Sequence, residues 1–217
     1  MTKHHHATDE TLMRYAAGTL AAGPAIVVAA HLSHCPACRA RVSAFQALGG
    51  AVLEELEPTV LSPNALADVL SRIDAEDPQP TPPAKVETPV EIDGVRLPDS
   101  LRGCDIGRWK WIGPGMHMSR IGIPHDPDAN VIMLKVGPGR ALPDHGHAGT
   151  EFTYLVAGSY TDRFGRFKAG DIAEMDEDVE HQPIVDADEE CICLAALEGK
   201  MRFNGFIGRM LQPIFGI

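Results

Sequence analysis

Residues 139–158 read GRALPDHGHAGTEFTYLVAG, and the reading of this stretch decides the fold of the second half of the chain. His145 and His147 stand two apart, so on a strand both point to the same side. Glu151 keeps that parity on the strand that follows the turn at Gly149. Some way downstream, at the start of another apolar run, comes His181. Three imidazoles and a carboxylate directed into a β-barrel make a borderline-hard donor set that suits Zn, Fe(II), Mn, Ni or Co. Any one of these histidines alone would read as a surface or packing residue; the shared parity and the glycine turns make them a candidate metal site.

The surrounding pattern has the same period. VIMLKV (131–136), EFTYLV (151–156), HQPIVD (181–186) and CICLAAL (191–197) are short β-branched or alternating runs separated by Gly, Pro and Asp turns. No long helical pattern intervenes, which predicts an all-β sandwich or barrel. Cys191 and Cys193 share one strand face and read first as packing residues, with a redox or ligand role as the alternative. Cys104 has no evident partner, and His117 and His125 read as loop or surface residues.

Upstream the period changes to that of helices. Thr8 before Asp9 and Glu10 is a helix start, with Leu12, Tyr15, Ala16 and Leu20 on one side. Gly23-Pro24 opens a second helix, and Pro36 a third that is weakened at Gly49-Gly50. Ser62-Pro63 precedes a fourth, where Leu66, Val69, Leu70 and Ile73 follow helical spacing. The stretch DPQPTPPAKVETP (77–89) carries five prolines and no periodicity, so it reads as a stiff linker. The expected organisation is an all-α helical domain over 1–77, a linker over 78–92 and an all-β domain over 93–217.

Within the helical part, HLSHCPACRA (31–40) concentrates soft ligands. His31 and Cys35 are four apart and stack on one helix face, and Cys38 can converge with Cys35 across the Pro36 turn. His34 points about 100° away from Cys35, as helical geometry requires. A closed zinc site takes four ligands, so the fourth comes from elsewhere. The run His4, His5, His6 is the available supply, and spacing does not choose among them. The plainer reading is a helix end with two buried thiols; a thioredoxin-like pair lacks the βαβ pattern it needs.

Composition narrows the function. A net charge of −11 argues against direct DNA or RNA binding and suits a basic protein partner. The longest apolar run, Leu20 to Leu32, is too short and too broken by Gly23-Pro24 to span a bilayer. The start MTKHHHATDE lacks a signal-peptide core, so a cytoplasmic protein is expected. Five clustered cysteines, an odd number, do not form a secreted disulfide framework.

These residues carry a resemblance. Gly139, His145, His147, Glu151 and Gly158 match the first cupin motif, G-x5-H-x-H-x3-E-x6-G. Gly165, Gly170 and His181 match the core of the second, although Lys168 stands where proline is usual and no Asn lies four residues after His181. HxxxCxxC resembles the zinc-binding anti-sigma domain. Together with YAAGTL (15–20), the proline linker, CICLAA (191–196) and RFN (202–204), the whole chain resembles the ChrR-type anti-sigma factors. The resemblance implies an all-α zinc-binding helical bundle followed by a cupin (jelly-roll, double-stranded β-helix) barrel. It implies His6 as the fourth zinc ligand beside His31, Cys35 and Cys38, and a second zinc at His145, His147, Glu151 and His181. It further implies a 1:1 complex with a group IV (ECF) sigma factor, contacted by apolar helix faces such as Leu66, Val69 and Leu70. The cupin would sense an oxidative signal such as singlet oxygen, and a small ligand could enter it. The rival expectations are a cupin dioxygenase acting on a dicarbonyl or catechol-like substrate, and a metal or small-ligand binding module without a sigma partner.

Overall fold

The computed structural model describes residues 5–75 and 89–199, with the backbone of the strand Met201–Phe203. Four helices come first: α1 (Asp9–Ala16), α2 (Ala22–His34), α3 (Pro36–Glu54) and α4 (Ala65–Ala75). The Thr8 hydroxyl oxygen caps α1 by accepting from the Thr11 N–H at 3.3 Å, and Asp9 and Glu10 complement the positive helix end. Gly18, at φ +68°, follows the C-terminus of α1, so Leu20 lies beyond the helix that the sequence suggested for it. Pro36 opens α3. That helix runs unbroken through Gly49-Gly50, because each glycine costs only about 1 kcal/mol against strong helix formers on both sides.

Short strands follow: β1 (Glu91–Ile92), β2 (Val95–Arg96), β3 (Asp105–Ile106) and β4 (Lys110–Gly113). The long strands are β5 (Met116–Ile123) and β6 (Asp126–Val136). Next come β7 (His145–His147), β8 (Glu151–Ala157), β9 (Ser159–Asp162), β10 (Gly165–Lys168) and β11 (Ile172–Met175). The chain continues through β12 (Glu180–His181), β13 (Ile184–Val185), β14 (Cys191–Leu197) and β15 (Met201–Phe203). All pairings are antiparallel. The main sheet runs β11-β8-β14-β6-β5-β3 with β4 on β5, and it is faced by the small sheets β12-β7-β15 and β10-β9-β13. The run HQPIVD is split between β12 and β13, since Pro183 cannot donate to a ladder. His117 stands in β5 rather than a loop, and His125 in the turn after it.

The central strands β8 and β14 of the main sheet are buried on both faces. Along β14, Cys191, Cys193, Ala195 and Leu197 join the core inside the barrel, whereas Ile192, Leu194 and Ala196 join the core outside it. What covers the outer face is α2. Its Val27, Val28 and Ala30 share one apolar cluster with Val131, Met133, Phe152, Ile192 and Leu194 of the sheet.

This arrangement corrects the expectation of an all-α N-terminal bundle. The helices do not close around a core of their own: α1 packs on α3, α2 lies against β6, β8 and β14, and α4 has no buried residue. The reason is the composition of α2. AGPAIVVAA is apolar on every side, and such a helix must be covered all round. α1 and α3 meet only part of that surface, so the sheet covers the rest. The chain is therefore a helical N-terminal region docked on a mostly β region, which also contains a 3₁₀ turn at Asp99–Leu101. Most of the proline linker (residues 76–88) lies outside the described residues.

Two glycines make the architecture possible. At Gly23 of α2 an added Cβ would sit 3.1 Å from Val131 and 3.4 Å from Ala196, so glycine lets the helix approach the sheet. At Gly158, φ is +72° and a Cβ would meet the Glu190 carbonyl oxygen at 2.3 Å, so only glycine fits the tight turn between β8 and β9.

Candidate functional site

The first group assembles where α2 meets α3. His31, in the last turn of α2, places Nε2 3.3 Å from Cys38 Sγ. Cys35 is the residue between the two helices, and its sulfur accepts from the Cys38 N–H at 3.4 Å. His6 enters from the N-terminal arm, with Nδ1 3.3 Å from Cys35 Sγ and 3.5 Å from Cys38 Sγ. All four donor atoms lie within 4.8 Å of one another, three of the residues buried and His6 at the surface. A tetrahedral metal bonded to sulfur at about 2.3 Å and to nitrogen at about 2.0–2.1 Å spaces its ligands about 3.5 Å apart, close to the separations found here. Without a cation the Cys38 thiol is pushed up to about 11, first by burial and then by the neighbouring Cys35. Burial likewise lowers the pKa of His31, against the pull of the Gly170 carbonyl.

The other histidines of the segment stay out. His5 stacks on Phe167 at a ring separation of 4.0 Å. His34 points to Tyr154, whose hydroxyl lies 3.1 Å from His34 Nδ1. His4 lies outside the described residues.

The second group lines the inside of the barrel. His145 and His147 come from β7, Glu151 from the start of β8 and His181 from β12, and all four are buried. The register pairs His181 with His145 across β12 and β7. Glu151 Oε2 lies 2.6 Å from His147 Nε2, 3.6 Å from His181 Nε2 and 3.9 Å from His145 Nε2. The outer nitrogens are tied down: His145 Nδ1 lies 2.8 Å from the Pro143 carbonyl oxygen and His181 Nδ1 3.0 Å from Asp162 Oδ2. A proton on each Nδ1 leaves Nε2 with its lone pair aimed inward, as metal-bound imidazoles require. Glu151 Oε2 and His181 Nε2 are buried and make no well-directed hydrogen bond among the described residues, which an ion at the centre would satisfy. Thr153 orients the carboxylate by donating to Glu151 Oε1 at 2.9 Å.

Charge in this group is tightly shared. Burial alone would raise the Glu151 pKa, but the imidazoles of His145, His147 and His181 that face the carboxylate hold it well below the usual range. Burial likewise opposes a charge on His181, yet Asp162 and Glu151 lift it to about 9. Such a site exchanges protons for a cation.

Of the remaining residues named from sequence, Cys191 and Cys193 face the barrel core, buried among apolar side chains. Leu66, Val69 and Leu70 lie on α4 with their side chains exposed, as are Leu56, Val60, Leu61 and Ile73 nearby. Sequence reasoning missed Asp162, Thr153 and the carbonyls of Pro143 and Gly170. The backbone acceptors leave no mark in a sequence, and Asp162, at the end of β9, is one acid among many.

Comparison with known proteins fits this layout. The family model of the ChrR cupin-like domain matches residues 102–200, and a zinc-finger family model matches residues 6–39. Anti-sigma-E factor ChrR of Cereibacter sphaeroides is 39% identical over 222 residues, spanning 100% of both chains. The chain belongs to the ChrR family. A crystal structure of Rhodobacter sphaeroides SigE in complex with the anti-sigma ChrR aligns over 91% of this chain and 100% of that one, with a TM-score of 0.70 and 39% identity. Both candidate metal groups of this family member lie within segments matched by family models.

Proposed function

We propose that this chain is an anti-sigma factor that binds and inhibits a group IV (ECF) sigma factor in a 1:1 complex in the cytoplasm. The carrying observation is the full-length 39% identity to an anti-sigma-E factor. Zinc is the metal we assign to His6, His31, Cys35 and Cys38, since two thiolates and two imidazoles at tetrahedral spacing suit it. His145, His147, Glu151 and His181 would hold a second zinc; their harder donor set also accepts Fe, Mn, Ni or Co. Bound metal supplies cross-linking in the first site and a fixed positive charge in the second.

Leu66, Val69 and Leu70 on α4 form part of the sigma-binding surface in this reading. Among the described residues this apolar stripe packs against nothing, and exposed apolar patches of this kind mark interaction surfaces. The acidic balance of −11 favours a basic, DNA-binding partner and disfavours DNA itself. No helix among the described residues is long and apolar enough to cross a membrane. The cupin group is the sensing end: an oxidative signal such as singlet oxygen alters it, and sigma is released to activate transcription.

The test is transcription in vitro with RNA polymerase and the cognate sigma factor. The wild-type chain should silence transcription, and illumination with a photosensitiser should restore it. The same chain carrying His147→Ala should silence but no longer respond. Silencing that fails without illumination rejects the anti-sigma reading, and a full response in His147→Ala rejects the cupin as sensor. Oxygen uptake with tightly bound iron and no inhibition would instead point to a dioxygenase.

A further inference from the structure

We infer that the cavity between the helical region and the barrel binds a small amphipathic carboxylate. It has a volume of about 680 Å³, within the range of small-molecule sites. One wall is the outer face of β8, through Tyr154 and Val156. Leu97 and Pro98, which follow β2, also line it, as do residues of the α2–α3 junction. Neither metal group fills this space: the first borders it and the second lies on the other side of β8.

The polar groups of the cavity select the ligand. Arg96 is the one Lys or Arg side chain among its lining residues, and no Asp or Glu joins it there, although the chain has 30 acidic residues against 19 basic ones. Its cross-strand partner in the β1-β2 hairpin is Glu91, yet among the described residues no carboxylate forms an ion pair with Arg96. A guanidinium at the edge of an apolar cavity recognises a carboxylate through two parallel N–H donors. The Tyr154 hydroxyl and the His34 ring, 3.1 Å apart, add a second polar point on the wall. The rest of the surface offered by Val156, Leu97, Pro98 and Ala169 is apolar and suits a hydrocarbon body. The occupant is therefore an acid head at Arg96 with an apolar chain lying against β8 and Leu97-Pro98.

Because the cavity walls come from both regions of the chain, an occupant would bridge them. The binding inference needs no sigma partner and is tested without one. Full-length, metal-loaded protein would be titrated calorimetrically with decanoate and with its neutral amide, both below the concentration of self-association. We expect saturable 1:1 binding of decanoate, weakened about tenfold or more by Arg96→Gln, with little change for the amide. Val156→Trp, which fills the cavity, should abolish both. Arg96 is exposed, so Arg96→Gln should fold, and retained metal content confirms it. Absence of saturable binding, or decanoate binding indifferent to Arg96→Gln, overturns the inference. Binding that survives in a folded Val156→Trp protein places the ligand elsewhere and overturns it too.

Discussion

Glu151 and Tyr154 stand on the same strand and reach opposite sites. Glu151 Oε2 lies 2.6 Å from His147 Nε2 inside the barrel, while the Tyr154 hydroxyl lies 3.1 Å from His34 Nδ1 beside the first metal group. Only Phe152 and Thr153 stand between these two residues on the strand. A second tie runs parallel to it: His31 Nδ1 lies 2.9 Å from the Gly170 carbonyl oxygen, so the barrel backbone orients a ligand of the helical region. Thr8 adds a third, its hydroxyl donating to Glu174 Oε2 on β11 at 2.8 Å. The two candidate metal groups are chemically separate but mechanically joined.

Chemical separation makes the metal count additive. Glu151→Gln keeps the shape of the side chain but removes the charge that faces three imidazoles, so the barrel should lose its metal. Cys35→Ser should remove the other metal and leave the barrel loaded. Mass spectrometry of the purified chain should give two metals in wild type, one in each variant and none in the double variant. A Glu151→Gln chain that kept both would show that the carboxylate is not a ligand.

Docking of α2 on the sheet rests on Gly23. Any larger side chain there meets Val131 and Ala196, which are packed in the shared core. Gly23→Leu should destabilise the protein by about 1–3 kcal/mol through overpacking. For a chain of this size that lowers Tm by roughly 2–4 °C per kcal/mol in a calorimetric scan. An unchanged Tm would mean that α2 is not held against the sheet in solution.

The barrel and the clustering of His145, His147, Glu151 and His181 in it were legible because their signals are local. The parity of His145, His147 and Glu151, and the run CICLAAL, which coincides with β14, can be read without knowing what lies across from them. The docking of α2 was not legible, because helix periodicity says which residues need burial but not what buries them. Its clues were present: CICLAAL has no polar alternation, which marks a strand covered on both faces, and AGPAIVVAA has no polar face at all. Strands β9 to β11 were missed because each is only four residues long. His6 could be chosen over His5 only by resemblance, since the arm that presents them has no period to read.

The barrel group also predicts how pH acts on protein stripped of metal by a chelator. His181 is raised from 6.5 to about 9 in the folded state, so the folded protein holds this proton more tightly than the unfolded chain. The stabilisation is fully present below pH 6.5 and is lost as pH rises through about 9. Glu151 acts in the other direction: its lowered pKa stabilises the fold above about pH 4.5 and ceases to do so as acid protonates it. Denaturation midpoints of the stripped protein should therefore fall between pH 7 and 10, and fall again in acid. With metal bound, His181 carries no proton on Nε2 and the alkaline loss should vanish. Equal midpoints at pH 7 and 10 for the stripped protein would refute this account of the group.

The five free thiols should react in three classes. Cys191 is pushed up to about 12 by burial and by Asp186, Glu189 and Glu190, and Cys193 is raised by burial, Cys191 and Glu151. Both are then protonated at neutral pH, and thiols in that state are poor nucleophiles. Cys35 and Cys38 are shielded while metal is bound, which leaves the half-buried Cys104, itself raised by burial and Asp105. Titration with a disulfide reagent at pH 8 should find one slow thiol in the loaded protein, three after chelation and five after unfolding. A redox role for Cys191 and Cys193 requires the opposite order. If peroxide treatment blocked these two before the sheet unfolded, the buried pair would be a sensor element and the packing reading would fail.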